Sequence, residues 1–593
     1  LAEYHKPQDD PNSQNRVLIA IVLFAVGFLV MQYFTPKPQP PAPAPQKQET
    51  QQQQQPQQPQ QAPSPSAASA AATGKTTAAP VQSFPTRQAE AETETTIETK
   101  LYRVVFTNRG GQVKSWVLKK GSYLPDADVE LVNPAAAPGL GYPLSFFTYD
   151  KDLEKKLNEA LWVSSATGPQ KPPFVLKFDY STGSVQATKK FTFDESFVIS
   201  VDTEVINNGQ KVQAYPQWPS GFGDLTNAGA YANEKVLWQQ DKDIERKAAQ
   251  SGFFLTGKKW IANGETVRGP LQWAATADQY FAAAFMPASP ENTALVTLHN
   301  QIDVAKDPDK PNEEKVKADV LGVAAGDVRG TTHERLFVGP KAVELLESIR
   351  TQPLGPDLRG MLDLGWFGFI SRPLYAWLVW THDHWTPNWG WSIGVLTVII
   401  NLVLLPLRVT SIKSALKMQK IQPQMKTIQE KYKRYGITDP RRAEMQKEMQ
   451  ALYKQEGVNP LGGCFPMLLQ MPFLIAFYSM ISNSFEMRHA SWVWIHDLSA
   501  ADPWHILPVI VIVTMFFTQQ STPSGGMDPA QQKMMKYMTP LMIGGMTWYL
   551  PSGLGIYWAI GNIIAFIQQT VINRSSFGRQ VRKTVERRAK RKR

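Results

Sequence analysis

The alternation of apolar and polar positions divides the chain into regions of different character. Residues 17–34 form an apolar stretch long enough to cross a bilayer, preceded by Arg16 and followed by Pro36, Pro38 and Pro40. No small-residue cleavage site closely follows it, which favours a retained N-terminal transmembrane anchor over a cleaved signal peptide, with residues 1–16 cytoplasmic. Residues 35–95 are rich in Pro, Gln and Ala and predict a disordered tether, because they bury too little to offset the entropy of ordering. Between 96 and 340 the period changes to that of strands. The runs 101–106 and 113–118 flank Asn108, Arg109, Gly110 and Gly111, a hairpin signal, and 189–205 ends in the turn Asn207, Asn208, Gly209. Many short strands over this length predict an all-β sandwich, closed by a helix at 341–350 with Val343, Leu346 and Ile349 on one side.

Within a connecting region, 341–385, the segment 364–380 is apolar but interrupted by Arg372 and Pro373. A charge near the middle of a span costs about 2.5–3.5 kcal/mol, so this segment predicts an interfacial amphipathic helix. A core at 386–573 contains five further candidate spans, at 390–407, 461–482, 504–518, 537–550 and 554–571. The loop 409–457 is strongly basic and splits into two helical halves, 412–435 and 440–456, while 484–503 carries Glu486, Asp497 and Asp502 against Arg488. The positive-inside rule makes the first loop a cytoplasmic helical hairpin and the second external, giving six spans with both termini inside and the β-domain outside. The span 537–550 would rise only about 21 Å against a hydrocarbon core of roughly 30 Å, favouring local thinning.

Composition narrows the chemistry. The 593 residues include one cysteine, Cys464, which excludes an internal disulfide framework and Cys-pair metal sites. There is no phosphate-binding glycine loop, HExxH or GxSxG, so neither an enzyme nor a cofactor is expected. His382, Asp383 and His384 lie among tryptophans and fit interfacial polar residues better than metal ligands. No predicted span holds a buried carboxylate or His/Asp relay, which weighs against ion-coupled transport, although a small-molecule or ion transporter remains the alternative.

Neutral polar residues mark several spans. Thr397, Asn401 and Arg408 fall on one helical stripe; Tyr557, Gly561 and Gln568 share a face flanked by Trp558, Asn562 and Gln569. Gln470, Thr514 and Thr518 add polarity to two more spans. Such residues act either as interhelical hydrogen bonds, about 0.6 kcal/mol each, or as the lining of a shared hydrated groove. Met418, Met425, Met445 and Met449 give the hairpin flexible apolar contacts suited to varied partners, the alternative being an ordinary solvated helical hairpin. The net charge of +11 is concentrated late in the chain, and the basic tail 574–593 ends in Arg587, Arg588, Lys590, Arg591, Lys592 and Arg593. Anionic lipid, at about 1 kcal/mol per basic residue, and ribosomal RNA would both attract it.

Asn459, Pro460, Leu461, Gly462, Gly463, Cys464, Phe465 and Pro466, then Gln470, Met471 and Pro472, Trp494 to Leu498, and Pro551, Ser552 and Gly553 resemble the YidC branch of the YidC/Oxa/Alb insertase family, over roughly 365–573. The resemblance implies a multi-domain protein of the bacterial inner membrane: an N-terminal anchor, a periplasmic all-β super-sandwich and a five-helix insertase core enclosing a groove open to cytoplasm and lipid. It also implies nascent membrane proteins as substrates, handled alone or with the Sec translocon, and contacts with ribosome and membrane lipids. Thr397, Tyr557 and Trp558 match the family's groove positions. Where the family usually has a groove arginine this chain has Asn401, and Arg408 is the nearby residue able to supply the charge.

Overall fold

The computed structural model describes residues 83–590 except 122–126, 226–227, 250–260, 306–313, 352–354, 366, 433, 436–438, 459–464 and 523–531. The expected anchor, most of the tether, Cys464, and Arg591, Lys592 and Arg593 lie outside the described residues.

Among the described residues three sheets, one of eleven strands and two of five, build the β-domain. The strand Val185–Phe193 shows why: Val185, Ala187, Lys189, Phe191 and Phe193 point inward while the residues between them face outward, the period of a half-buried strand. It pairs antiparallel with both Phe174–Gly183 and Val198–Asn207. The expected hairpin forms between Tyr102–Thr107 and Gln112–Leu118, and Gly110 and Gly111 supply the positive φ its turn requires. Folded structure begins earlier than composition indicated. Within the expected tether Phe84–Arg87 pairs with Phe174–Gly183, and Glu94–Glu98, which crosses its expected end at 95, lies between Tyr102–Thr107 and Gly168–Gln170. Sheet pairing satisfies the backbone there despite a polar sequence.

Among the described residues ten α-helices position the remainder. Helix α1 (Val343–Thr351) closes the β-domain. Helix α2 (Gly368–His384) buries Ser371, Leu374, Tyr375, Leu378 and Thr381 and exposes Phe369, Trp377 and Trp380. Helix α3 (Trp389–Val403) ends four residues before the expected 407, and α4 (Leu405–Tyr432) leaves it at 60°. Pro406, which lacks an N–H, is tolerated in the first turn of the new helix. Helix α5 (Arg441–Gln455) folds back on α4.

Then come α6 (Phe465–Asn483), α7 (Ile506–Ser521), α8 (Thr539–Met546) and α9 (Ser552–Arg574). A π-helical turn, Met534–Met538, and a 3-10 turn, Thr547–Tyr549, flank the short α8. Among the described residues α9 is by itself long and apolar enough to cross a membrane, and α7 is a shorter apolar helix. The basic tail forms a helix, α10 (Ser576–Lys590), that the charge pattern obscured. Its Phe577 and Val581 pack on Ile412 and Leu416 of α4.

Candidate functional site

Helices α3, α4, α6 and α9 enclose a cavity of about 80 Å³. Its polar lining is Asn401, Arg408, Gln470 and Asn562, with Tyr557 and Trp558; Ile400, Leu404, Phe473 and Gly561 complete the wall. The break at Leu404 makes this arrangement. Asn401 sits in the last turn of α3 and Arg408 in the first turn of α4, so the arginine side chain reaches back and its Nη1 donates to Asn401 Oδ1 at 3.3 Å. Asn401 Nδ2 in turn donates to the Thr397 carbonyl at 2.8 Å. Across the cavity the Gln470 amide meets the Tyr557 hydroxyl, and the Tyr557 ring stacks on Phe477 with centroids 4.4 Å apart. Among the described residues no carboxylate lines the cavity, and Arg408 has no counter-ion in that lining.

Of the residues read from sequence, Asn401, Arg408, Gln470, Tyr557 and Trp558 meet at this cavity. Thr397 is buried beneath it, its hydroxyl donating to the Ile393 carbonyl at 2.7 Å, and it is not part of the lining. Thr514 is one contact removed, 3.5 Å from Asn562 Nδ2, while its own hydroxyl bonds the Ile510 carbonyl. Gln568 lies two turns beyond Gly561 along α9, outside the lining. Asn562 was visible only as a flank of the Tyr557 face, and Phe473, Ile400 and Leu404 carried no polar signal.

The hairpin methionines are a correction. Met418, Met425 and Met445 are buried, and Met449 packs against the same cluster with Ile421 and Leu452, so they form the hairpin's own core instead of an open contact surface. In the tail Arg587 is exposed, while the side chains of Arg588 and Lys590 lie outside the described ones. Among the described residues no group of His, Cys, Asp and Glu could hold a metal; His382 stacks on Trp389 at 3.9 Å and His384 on Trp380.

At the end of the core nearest the β-domain the α6–α7 loop is tied to the start of α9. Ser552 donates through its N–H and its hydroxyl to the Ala500 carbonyl, and Gly553 N–H to the Leu498 carbonyl, stitching the α6–α7 loop onto the start of α9. Asp502 caps α7, accepting from Leu507 N–H at 2.7 Å, Trp504 N–H at 3.1 Å and the Trp494 indole at 3.1 Å.

Residues 380–579 match the family described as 60Kd inner membrane protein, and residues 94–377 match the YidC periplasmic domain. A membrane protein insertase YidC of Geobacter sulfurreducens is 33% identical over 516 residues, covering 81% of this chain and 86% of that relative. Another of the same name, from Cupriavidus necator, is 37% identical over 413 residues, covering 66% and 69%. A crystal structure of YidC from Thermotoga maritima aligns with 82% of this chain and 99% of its own, at 14% identity and a TM-score of 0.27.

Proposed function

The chain belongs to the YidC family of membrane protein insertases, and from that premise we propose that the cavity between α3, α4, α6 and α9 is the route by which polar stretches of a substrate enter the membrane. The protein is an inner-membrane insertase with a periplasmic β-domain and a helical core. Our topology has six spans: the anchor at 17–34, then α3, α6, α7, the α8 segment and α9, with α2 in the outer interface and both termini cytoplasmic. The α4–α5 hairpin and α10 then lie in the cytoplasm, where exposed Arg587 faces anionic lipid or ribosomal RNA. Cooperation with the Sec translocon belongs to the same proposal.

The physical problem is the cost of a backbone polar group in hydrocarbon, several kcal/mol when unpaired. A polar wall lowers that cost by offering hydrogen bonds partway across, and in this reading the α6–α7 loop tied to the start of α9 keeps the β-domain end closed. No bond is made or broken in this step. The observation that carries the proposal is Arg408, an arginine turned inward on Asn401, without a carboxylate in the lining. In this reading it attracts acidic residues on a translocated tail.

The test is insertion of a short two-span substrate into liposomes containing only this purified protein, scored by protease protection. Arg408→Gln should lower insertion of substrates with acidic tails about tenfold, a difference of about 1.4 kcal/mol, and spare those with neutral tails. Equal loss for both classes would remove the charge from the proposal, and no loss for either would remove Arg408.

A further inference from the structure

Helix α10 is folded back from the end of α9 by a tight turn. Ser575, in extended backbone, ends α9; its hydroxyl donates to the Ile572 carbonyl at 2.6 Å and accepts the Gly578 N–H at 3.4 Å. Gly578 is buried against the end of α9, where a Cβ would stand 2.4 Å from the Asn573 carbonyl oxygen, so the turn requires glycine. The end of α9 is itself anchored. Asn573 Nδ2 donates to the Ser521 carbonyl at the end of α7 at 2.9 Å, and Asn573 Oδ1 accepts from Gln569 Nε2 at 2.9 Å. From this fixed turn α10 is directed onto α4.

The surface it covers is continuous with the cavity. Arg408, Ile412 and Leu416 follow one another at four-residue steps on α4, so the stripe that presents the arginine runs on as an apolar strip. Ile412 and Leu416 are buried in one cluster with Ile572 of α9 and with Phe577 and Val581 of α10. The other apolar face of α4, with Met418, Ile421 and Met425, packs in a separate cluster against Leu452 of α5. Lifting α10 therefore uncovers an apolar strip one turn beyond Arg408 and leaves the hairpin's own core intact. On its other side α10 carries Arg579, Lys583 and Arg587, exposed and one turn apart. A helix held by so small an apolar contact opens locally more readily than one buried in a core.

We propose that α10 is a releasable cover: Phe577 and Val581 occupy an apolar landing surface made by Ile412, Leu416 and Ile572, and the apolar segment of an incoming substrate takes their place when α10 lifts. The occupant follows from position. An apolar stretch seated on Ile412 and Leu416 brings the polar residues beside it within a turn of Arg408, at the cavity. That is the order in which a spanning segment with a short translocated tail presents its residues. The inference rests on the cavity being the substrate route. It makes α10 a competitor for the landing surface, and without substrate the strip stays covered instead of lying open as an apolar patch.

The experiment uses the full chain in liposomes with the short two-span substrate, on a Cys464→Ser background. Leu416→Cys and Val581→Cys are joined by a short methanethiosulfonate linker that dithiothreitol opens. The linked protein should insert about tenfold more slowly than the same protein after reduction, and equal rates would overturn the proposal. Gly578→Ala and, separately, Phe577→Ser/Val581→Ser should release α10 and raise the initial rate about threefold. A photoreactive probe at Ile412 should then form adducts with the apolar segment of the substrate. Unchanged or slower insertion in both release variants would make α10 a structural brace and overturn the cover, as would a lack of substrate adducts from position 412. If Arg408→Gln and Gln470→Ala leave insertion intact while the linker still blocks it reversibly, the cover stands and the substrate route lies elsewhere.

Discussion

The β-domain and the helical core each draw a basic side chain inward, and they hold it differently. Lys189, 1% exposed, donates to the carbonyls of Leu144 at 2.6 Å, Gly110 at 2.7 Å and Gly111 at 3.3 Å, with the ring of Phe146 beneath it. Arg408 has one amide oxygen at 3.3 Å and an open cavity before it. A buried polar group whose hydrogen bonds are all made stabilises a fold; one with unused donors facing a cavity is available to a visitor. The first basic group serves stability, the second recognition.

The largest way to break that comparison is Lys189→Met. It leaves the carbonyls at the hairpin turn without their donor and should destabilise the β-domain by about 3 kcal/mol, lowering its melting temperature by roughly 6–12 °C. Thermal denaturation followed by circular dichroism measures this, and an unchanged melting temperature would make Lys189 as dispensable to stability as Arg408 is expected to be.

A second contrast lies within the β-domain. Burial pulls the Lys341 amine down from 10.5 to about 8. Below that pH both folded and unfolded chains carry the proton and the fold bears the desolvation cost; between about 8 and 10.5 only the unfolded chain binds it. The Lys341 contribution to stability is therefore present above 10.5 and lost as pH falls through 8. Melting curves of wild type and Lys341→Met should diverge in favour of the wild type across that window, by up to about 3 kcal/mol.

Arg408→Gln comes next, with about a tenfold effect on insertion of acidic-tailed substrates and no loss of thermal stability. Thr514→Val is the smallest. Thr514 meets the cavity only through Asn562, so its loss should cost about 0.6 kcal/mol and change insertion less than threefold. A large insertion defect there would extend the functional surface beyond the lining.

The sequence exposed the site through its polarity. Asn401, Arg408, Gln470, Tyr557 and Trp558 stood out because polar and amphipathic side chains are conspicuous in apolar segments. The stripe joining Thr397, Asn401 and Arg408 assumed one straight helix, yet the helix breaks at Leu404; Asn401 and Arg408 meet because the long arginine side chain spans the bend. Phe473 and Leu404 were invisible for the opposite reason, being apolar residues in apolar helices. In the β-domain the alternation at Val185–Phe193 was plain, while Phe84–Arg87 and Glu94–Glu98 were not, since their order comes from distant strands. The tail helix was hidden by charge: Phe577 and Val581 are a four-residue repeat among arginines.

The most direct measurement is photo-crosslinking to a substrate arrested during insertion, from probes placed singly at Asn401, Gln470 and Trp558, with Val509 on the exposed face of α7 as the reference. The cavity account predicts adducts from the first three that form while the polar tail is in transit and vanish once it has crossed, with few from Val509. Adducts that are equally frequent from Val509, or absent from the cavity positions while insertion proceeds, would contradict it.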